Sequence, residues 1–129
     1  MTDERGQAVL VAVLALAIAA TAIIGIRAAQ DRIVIAARAQ RAGEAAVEAA
    51  AQAVADRYGA HAVAPRDLVN DPRVVEAARV AAVELARENG ASGVEQVQLM
   101  CAKNRIEARL VLNGYSHHAG FSAPECSPY

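Results

Sequence analysis

Several things are scarce in this chain of 129 residues. There is no Trp and one Phe, and the three tyrosines are Tyr58, Tyr115 and Tyr129. So few aromatics argue against a stacking platform for nucleic-acid bases. The formal net charge is −1, so no global field draws nucleic acid or anionic lipid. There are two cysteines, Cys101 and Cys126, and four prolines, and none of the prolines precedes Pro65. No solenoid-length repeat is visible. Phosphate loops, nucleophile elbows and dinucleotide fingerprints are missing too. These gaps predict no enzyme, no catalytic residue, no cofactor and no small-molecule substrate.

What the chain has is alanine and one long uninterrupted stretch. Gln7 to Ile26 reads QAVLVAVLALAIAATAIIGI and carries no charge. About 20 apolar residues are enough to cross a bilayer. Ala8, Val9, Leu10, Val11, Leu14, Leu16, Ile18, Ile23, Ile24 and Ile26 are the side chains expected to meet lipid. No Pro interrupts the continuation to Tyr58, and alanine is the strongest helix former. One helix over 7–58 is predicted, roughly 78 Å long at about 1.5 Å per residue. Its membrane part is 7–26 and its amphipathic part is 27–58. In the latter, Arg27, Asp31, Arg38, Arg41, Glu48, Gln52 and Asp56 form one polar stripe at 100° per residue, a solvated face. Ile33, Val47, Val54, Tyr58 and many alanines lie away from it. Gly43 is either a mild flexible point or a site of close approach.

Residues 1–6 read as a short polar tail. A secretory signal has a more basic start and a shorter apolar core. Small residues at Ala17 to Ala22 would allow cleavage there, but the helical pattern runs on past them. An uncleaved anchor is the preferred reading.

Residues 59–129 read as a head outside the membrane. Gly59 to Asp71 is expected to be a linker, because Pro65 turns Ala64 away from helix. A helix should start at Asp71–Pro72, with Asp71 as N-cap. Val74, Val75, Ala78, Ala81, Ala82 and Leu85 mark its apolar face, and Asn89–Gly90 is its stop. Val94 to Cys101 has strand character with imperfect alternation. Arg105 to Leu112 alternates cleanly, with Ile106, Ala108, Leu110 and Leu112 on one face. Lys103–Asn104 and Asn113–Gly114 are hairpin signals, and a short third strand should follow at Tyr115 to His118. The fold class is therefore α+β: a long N-terminal membrane helix and a head of one helix with a two- to three-stranded antiparallel sheet.

In an extracytoplasmic domain, Cys101 and Cys126 are expected to form a disulfide. It would close a loop of about 25 residues and contribute about 3 kcal/mol in the chain-entropy model. In a cytosolic head they would be two buried thiols. His117 and His118 are adjacent, so a strand would aim them at opposite faces. With His61 and the cysteines they match no usual zinc spacing, and no metal site is predicted.

Two segments carry a family resemblance. ERGQAVLVAVLALAI, Glu4 to Ile18, resembles the start of TadE/TadG-like proteins of the Tad (Flp) type IV pilus-assembly system. ARAQRAGEAAVEAAAQA, Ala37 to Ala53, resembles that family's Arg- and Ala-rich continuation. The resemblance implies a pilin-like fold and a pseudopilin or minor pilin at the cell surface, or a component of a related secretion machine. Its partners would be membrane lipid and other pilin or assembly subunits, met through the N-terminal helix. It implies a single pass through the bacterial cytoplasmic membrane, with the N-terminus in the cytoplasm and the head outside. Pilin-type processing would cut between Gly6 and Gln7. Val11 would then be the fifth residue, where pilin-like substrates generally carry Glu. Arg27, Arg32, Arg38 and Arg41 follow the apolar run and only Arg5 precedes it. The positive-inside rule alone would favour the reverse orientation. The alternative function is a membrane-tethered or secreted binding module with a small α+β head.

Overall fold

The computed structural model describes residues 3–60 and 63–126. The fold is α+β. Helix α1 spans Asp3–Ala60. It starts inside the stretch read as a polar tail, because Asp3 and Glu4 lie in its first turn and favour the positive end of the helix dipole. Arg57 in the last turn does the same at the other end. Two compact units divide at Ala37/Arg38.

The first unit is helical throughout its described residues. Its Thr21 hydroxyl donates back to the carbonyls of Ala17 at 3.0 Å and Ile18 at 2.8 Å. The one hydroxyl in the apolar run is thereby satisfied within the helix.

The second unit is built on α1 from Arg38 onward. Here Ala42, Gly43, Ala46, Val47, Ala50, Ala51 and Val54 are buried. Their spacing of three and four makes one packing face. The segment read as a linker contains a further helix, α2, Pro65–Asn70. Pro65 begins it rather than preventing it: Ala64 is extended, as a residue before proline should be, and Pro65 takes the first helical position. Among its described residues the head therefore has two helices of its own, where one was expected. Leu68 and Val69 of α2 join the core.

Helix α3, Pro72–Glu88, is capped by Asp71, whose carboxylate accepts from the Arg73 amide at 2.8 Å. It ends in a Schellman closure. The Ala91 amide donates to Ala86 and the Gly90 amide to Arg87, with Gly90 at φ +76°.

Strands β1 (Val94–Ala102), β2 (Arg105–Leu112) and β3 (Tyr115–Ser122) form an antiparallel meander in the order β1-β2-β3. Both hairpin turns place two residues at positive φ, Lys103–Asn104 and Asn113–Gly114. That backbone fits the right-handed twist of the flanking strands. The broken alternation of β1 has a cause: the register shifts between Glu95 and Gln98, and Gln96 sits at φ 53°. This is a β-bulge. Strand β3 runs four residues past His118, because Ala119 to Ser122 continue the pairing with β2 as far as Arg105.

Ile106, Ala108, Leu110 and Leu112 point inward from β2. They join one core with the second half of α1, with Val74, Ala78, Ala82 and Ala86 of α3, and with Ala123 and Cys126. The helices α2 and α3 pack on β1, while α1 meets β3 at His117 and Phe121.

Candidate functional site

The apolar run of α1 has no packed face. Leu10 is 72 % exposed, Leu16 71 % and Ile24 68 %. Val9, Val11, Leu14, Ile18, Ile23 and Ile26 are exposed as well. At 100° per residue these positions point to all sides of the helix. A helix that is apolar all round belongs in a protein core or in a membrane, and none of this one is buried. It is long and apolar enough to cross a membrane. Gly6, Gln7 and Ala8 lie inside the helix and are exposed. Arg27, Asp31 and Arg32 form a charged band after the run, and exposed Ile33, Val34 and Ile35 follow it. Ile33 therefore does not share the packing role of Val47 and Val54.

In the second unit the C-terminal segment is held on three sides. The Cys101 and Cys126 sulfurs are bonded, with their Cα atoms 5.1 Å apart. The Asn104 amide donates to the Cys126 carbonyl at 2.7 Å, and the Ala123 amide donates to the Asn104 carbonyl at 2.9 Å. These bonds tie the segment to the β1–β2 turn. The Tyr58 hydroxyl donates to Glu125 Oε2 at 2.6 Å, tying it to the end of α1. Beside that bond, the Tyr58 and Phe121 rings lie 5.6 Å apart at a tilt. The shared proton favours neutral Tyr58 and ionised Glu125. It holds the phenol above its ordinary value and the carboxyl below its own.

The two histidines part company. His118 is exposed, whereas His117 is 5 % exposed and is the buried polar residue of the described head. Its imidazole lies over Gly43 of α1, in the space a Cβ would occupy. Gly43 is thus a site of close approach. No group of three or more His, Cys, Asp or Glu is placed to hold a metal among the described residues. His61 lies outside them. Both sulfurs are committed to the disulfide, so neither is a nucleophile or a metal ligand in this state.

Two clefts open beside α1 in the head. One, about 210 Å³, lies between Glu48, Ala51, Gln52 and Ala55 of α1 and Ala119 to Phe121 of β3. The other, about 310 Å³, is lined by Arg57, Val63, Leu68, Asp71, Arg73 and Val74. The Arg57 guanidinium donates to the Arg73 carbonyl at 3.1 Å on its rim.

The pairing of Tyr58 with Glu125 and the seating of His117 on Gly43 could not be read from spacing. Only the glycine within an alanine-rich face hinted at the second. No family model, no curated protein and no solved structure matches the chain.

Proposed function

We propose that this chain is a TadE/TadG-like, pilin-like membrane protein: a pseudopilin or minor-pilin-like component of a Tad (Flp) pilus or related secretion machine. It works by helix packing and assembly rather than by catalysis. The N-terminus is cytoplasmic, α1 makes a single pass, and the head stands outside. The exposure of apolar side chains on every side of 7–26 carries the reading. In water that surface is unfavourable by about 25 cal/mol per Å². Lipid satisfies it, and so do the equivalent helices of other subunits, because Gly25 and the many alanines allow close approach. The cystine in the head suits an oxidising compartment. The resemblance of Glu4 to Ile18 and Ala37 to Ala53 supplies the system.

The test is the intact mass of the protein extracted from its native membrane without reductant. A mass beginning at Met1 or Thr2 is expected for an anchor, and one beginning at Gln7 for a processed filament subunit. A mass beginning near Ala22 or Ile23 would reject both in favour of a secreted binding module. Deletion of the chain should abolish surface filaments, with restoration on complementation. Unchanged filaments in the deletion would reject the assembly role.

A further inference from the structure

The two edges of the sheet are unequal. Strand β1 is guarded: it is bulged at Gln96, it carries Glu95, and α2 and α3 pack on it. Strand β3 has neither a bulge nor a charge of its own, and α1 meets it at His117 and Phe121. Its eight residues, YSHHAGFS, include no Lys, Arg, Asp, Glu or Pro, and among the described residues β3 pairs only with β2. One carbonyl, that of Gly120, accepts from the Arg105 side chain at 3.0 Å. An edge of this kind presents a row of backbone donors and acceptors to any added strand. The cleft of about 210 Å³ runs beside it, with Ala51, Ala55 and Phe121 as apolar lining. Its helical rim carries one carboxylate. Glu48 lines the cleft, and Glu44 lies one turn earlier on the same flank, where it accepts from Gln40 at 2.8 Å. No cation pairs with Glu48 among the described residues.

We propose that the β3 edge is a docking site for an extended segment of a partner protein. That segment adds as a fourth strand and places a Lys or Arg side chain over Glu48. Main-chain bonds would supply affinity, and the cleft and its carboxylate would supply choice. A second copy of this chain fits less well, because its own β3 brings no Lys or Arg to Glu48.

The experiment uses the full chain in nanodiscs and a short labelled peptide of alternating Thr and Val with one central Lys, read by fluorescence anisotropy. Saturable binding is expected. It should weaken about tenfold or more, ~1.4 kcal/mol, when the central Lys becomes Glu or when the protein carries Glu48→Lys. It should vanish when both edges of the peptide are N-methylated. Glu48 is exposed, so the variant should keep its disulfide and its circular dichroism. The proposal is overturned if the Lys peptide does not bind, if N-methylation is harmless, or if Glu48→Lys has no effect. Self-association through β3 that is indifferent to Glu48→Lys would also overturn it, and would name a second copy as the occupant.

Discussion

Gly43 is where the helix meets the sheet most closely. Any Cβ there would clash with the His117 ring. Two effects oppose each other in Gly43→Ala. Helix propensity favours alanine by about 1 kcal/mol, while the overpacking costs about 1–3 kcal/mol. Because His117 is hemmed in by the core, the clash should win, and Gly43→Ala should lower the denaturant midpoint of the head. In the His117→Ala background the same substitution should become neutral or stabilising. A double-mutant cycle with no coupling would reject the contact. Tyr58 and Glu125 form a second residue-scale device with a defined pH window. The Glu125 contribution is full above its unfolded pKa, and is lost as pH falls through the lowered folded value. The Tyr58 contribution is full below 10.0, its ordinary value, and is lost as pH rises through the raised one. Tyrosinate absorbance should therefore show a phenol that titrates above 10.0, its ordinary value. Glu125→Gln should move it earlier, and Tyr58→Phe should remove it. A titration that Glu125→Gln leaves unmoved would refute the bond.

At the scale of elements, β2 is the test of the sheet. Leu110 is 1 % exposed and faces the core, while the neighbouring Arg109 is exposed and pairs with Glu107. Leu110→Asp should cost upwards of about 3 kcal/mol, because a carboxylate would be buried without a partner. Arg109→Asp should cost within about 1 kcal/mol, since it removes only a surface pair. Chemical denaturation of both variants checks the difference. This strand was also the most legible element. Its period of two is unbroken, and an Asn-Gly turn follows it. Helix α3 was legible for a similar reason, having a cap at Asp71 and a stop at Gly90. Strand β1 was less so, because the bulge at Gln96 puts its polar residues out of phase. The six residues of α2 are too few to show a helical period, and Pro65 reads as a breaker until the turn it begins is seen. The far half of β3 was hidden by Ala119–Gly120, a pair of weak strand formers. Gly120 is tolerated because a Cβ there would strike the Ile106 carbonyl.

At the scale of the whole molecule, the sequence itself shows a chain of two compositions. An uncharged stretch precedes Arg27, and a mixed-charge remainder follows it. The apolar stretch was legible outright, because length and composition suffice to mark a membrane-compatible helix. The contacts that pin the head were not, since each joins residues far apart in sequence whose meeting depends on the finished fold. Replacing Cys101 and Cys126 by Ser should destabilise the head by about 2–5 kcal/mol. Reducing agent should lower the melting temperature of the wild-type chain and leave the double variant unmoved. Equal behaviour of the two under reductant and oxidant would show that the bridge carries no stability.

The Cys101–Cys126 bond also decides how the head bears load. It spans both hairpin turns and all of β2 and β3. Tension entering along β1 and leaving through the chain beyond Cys126 passes straight across the sulfurs. The closed circuit between them carries none of it. Stretching the oxidised protein should therefore release less length than the reduced one, by the reach of about 25 residues, roughly 80–90 Å. The bridge is a mechanical shunt: while it holds, β2 and β3 stay slack and keep their shape.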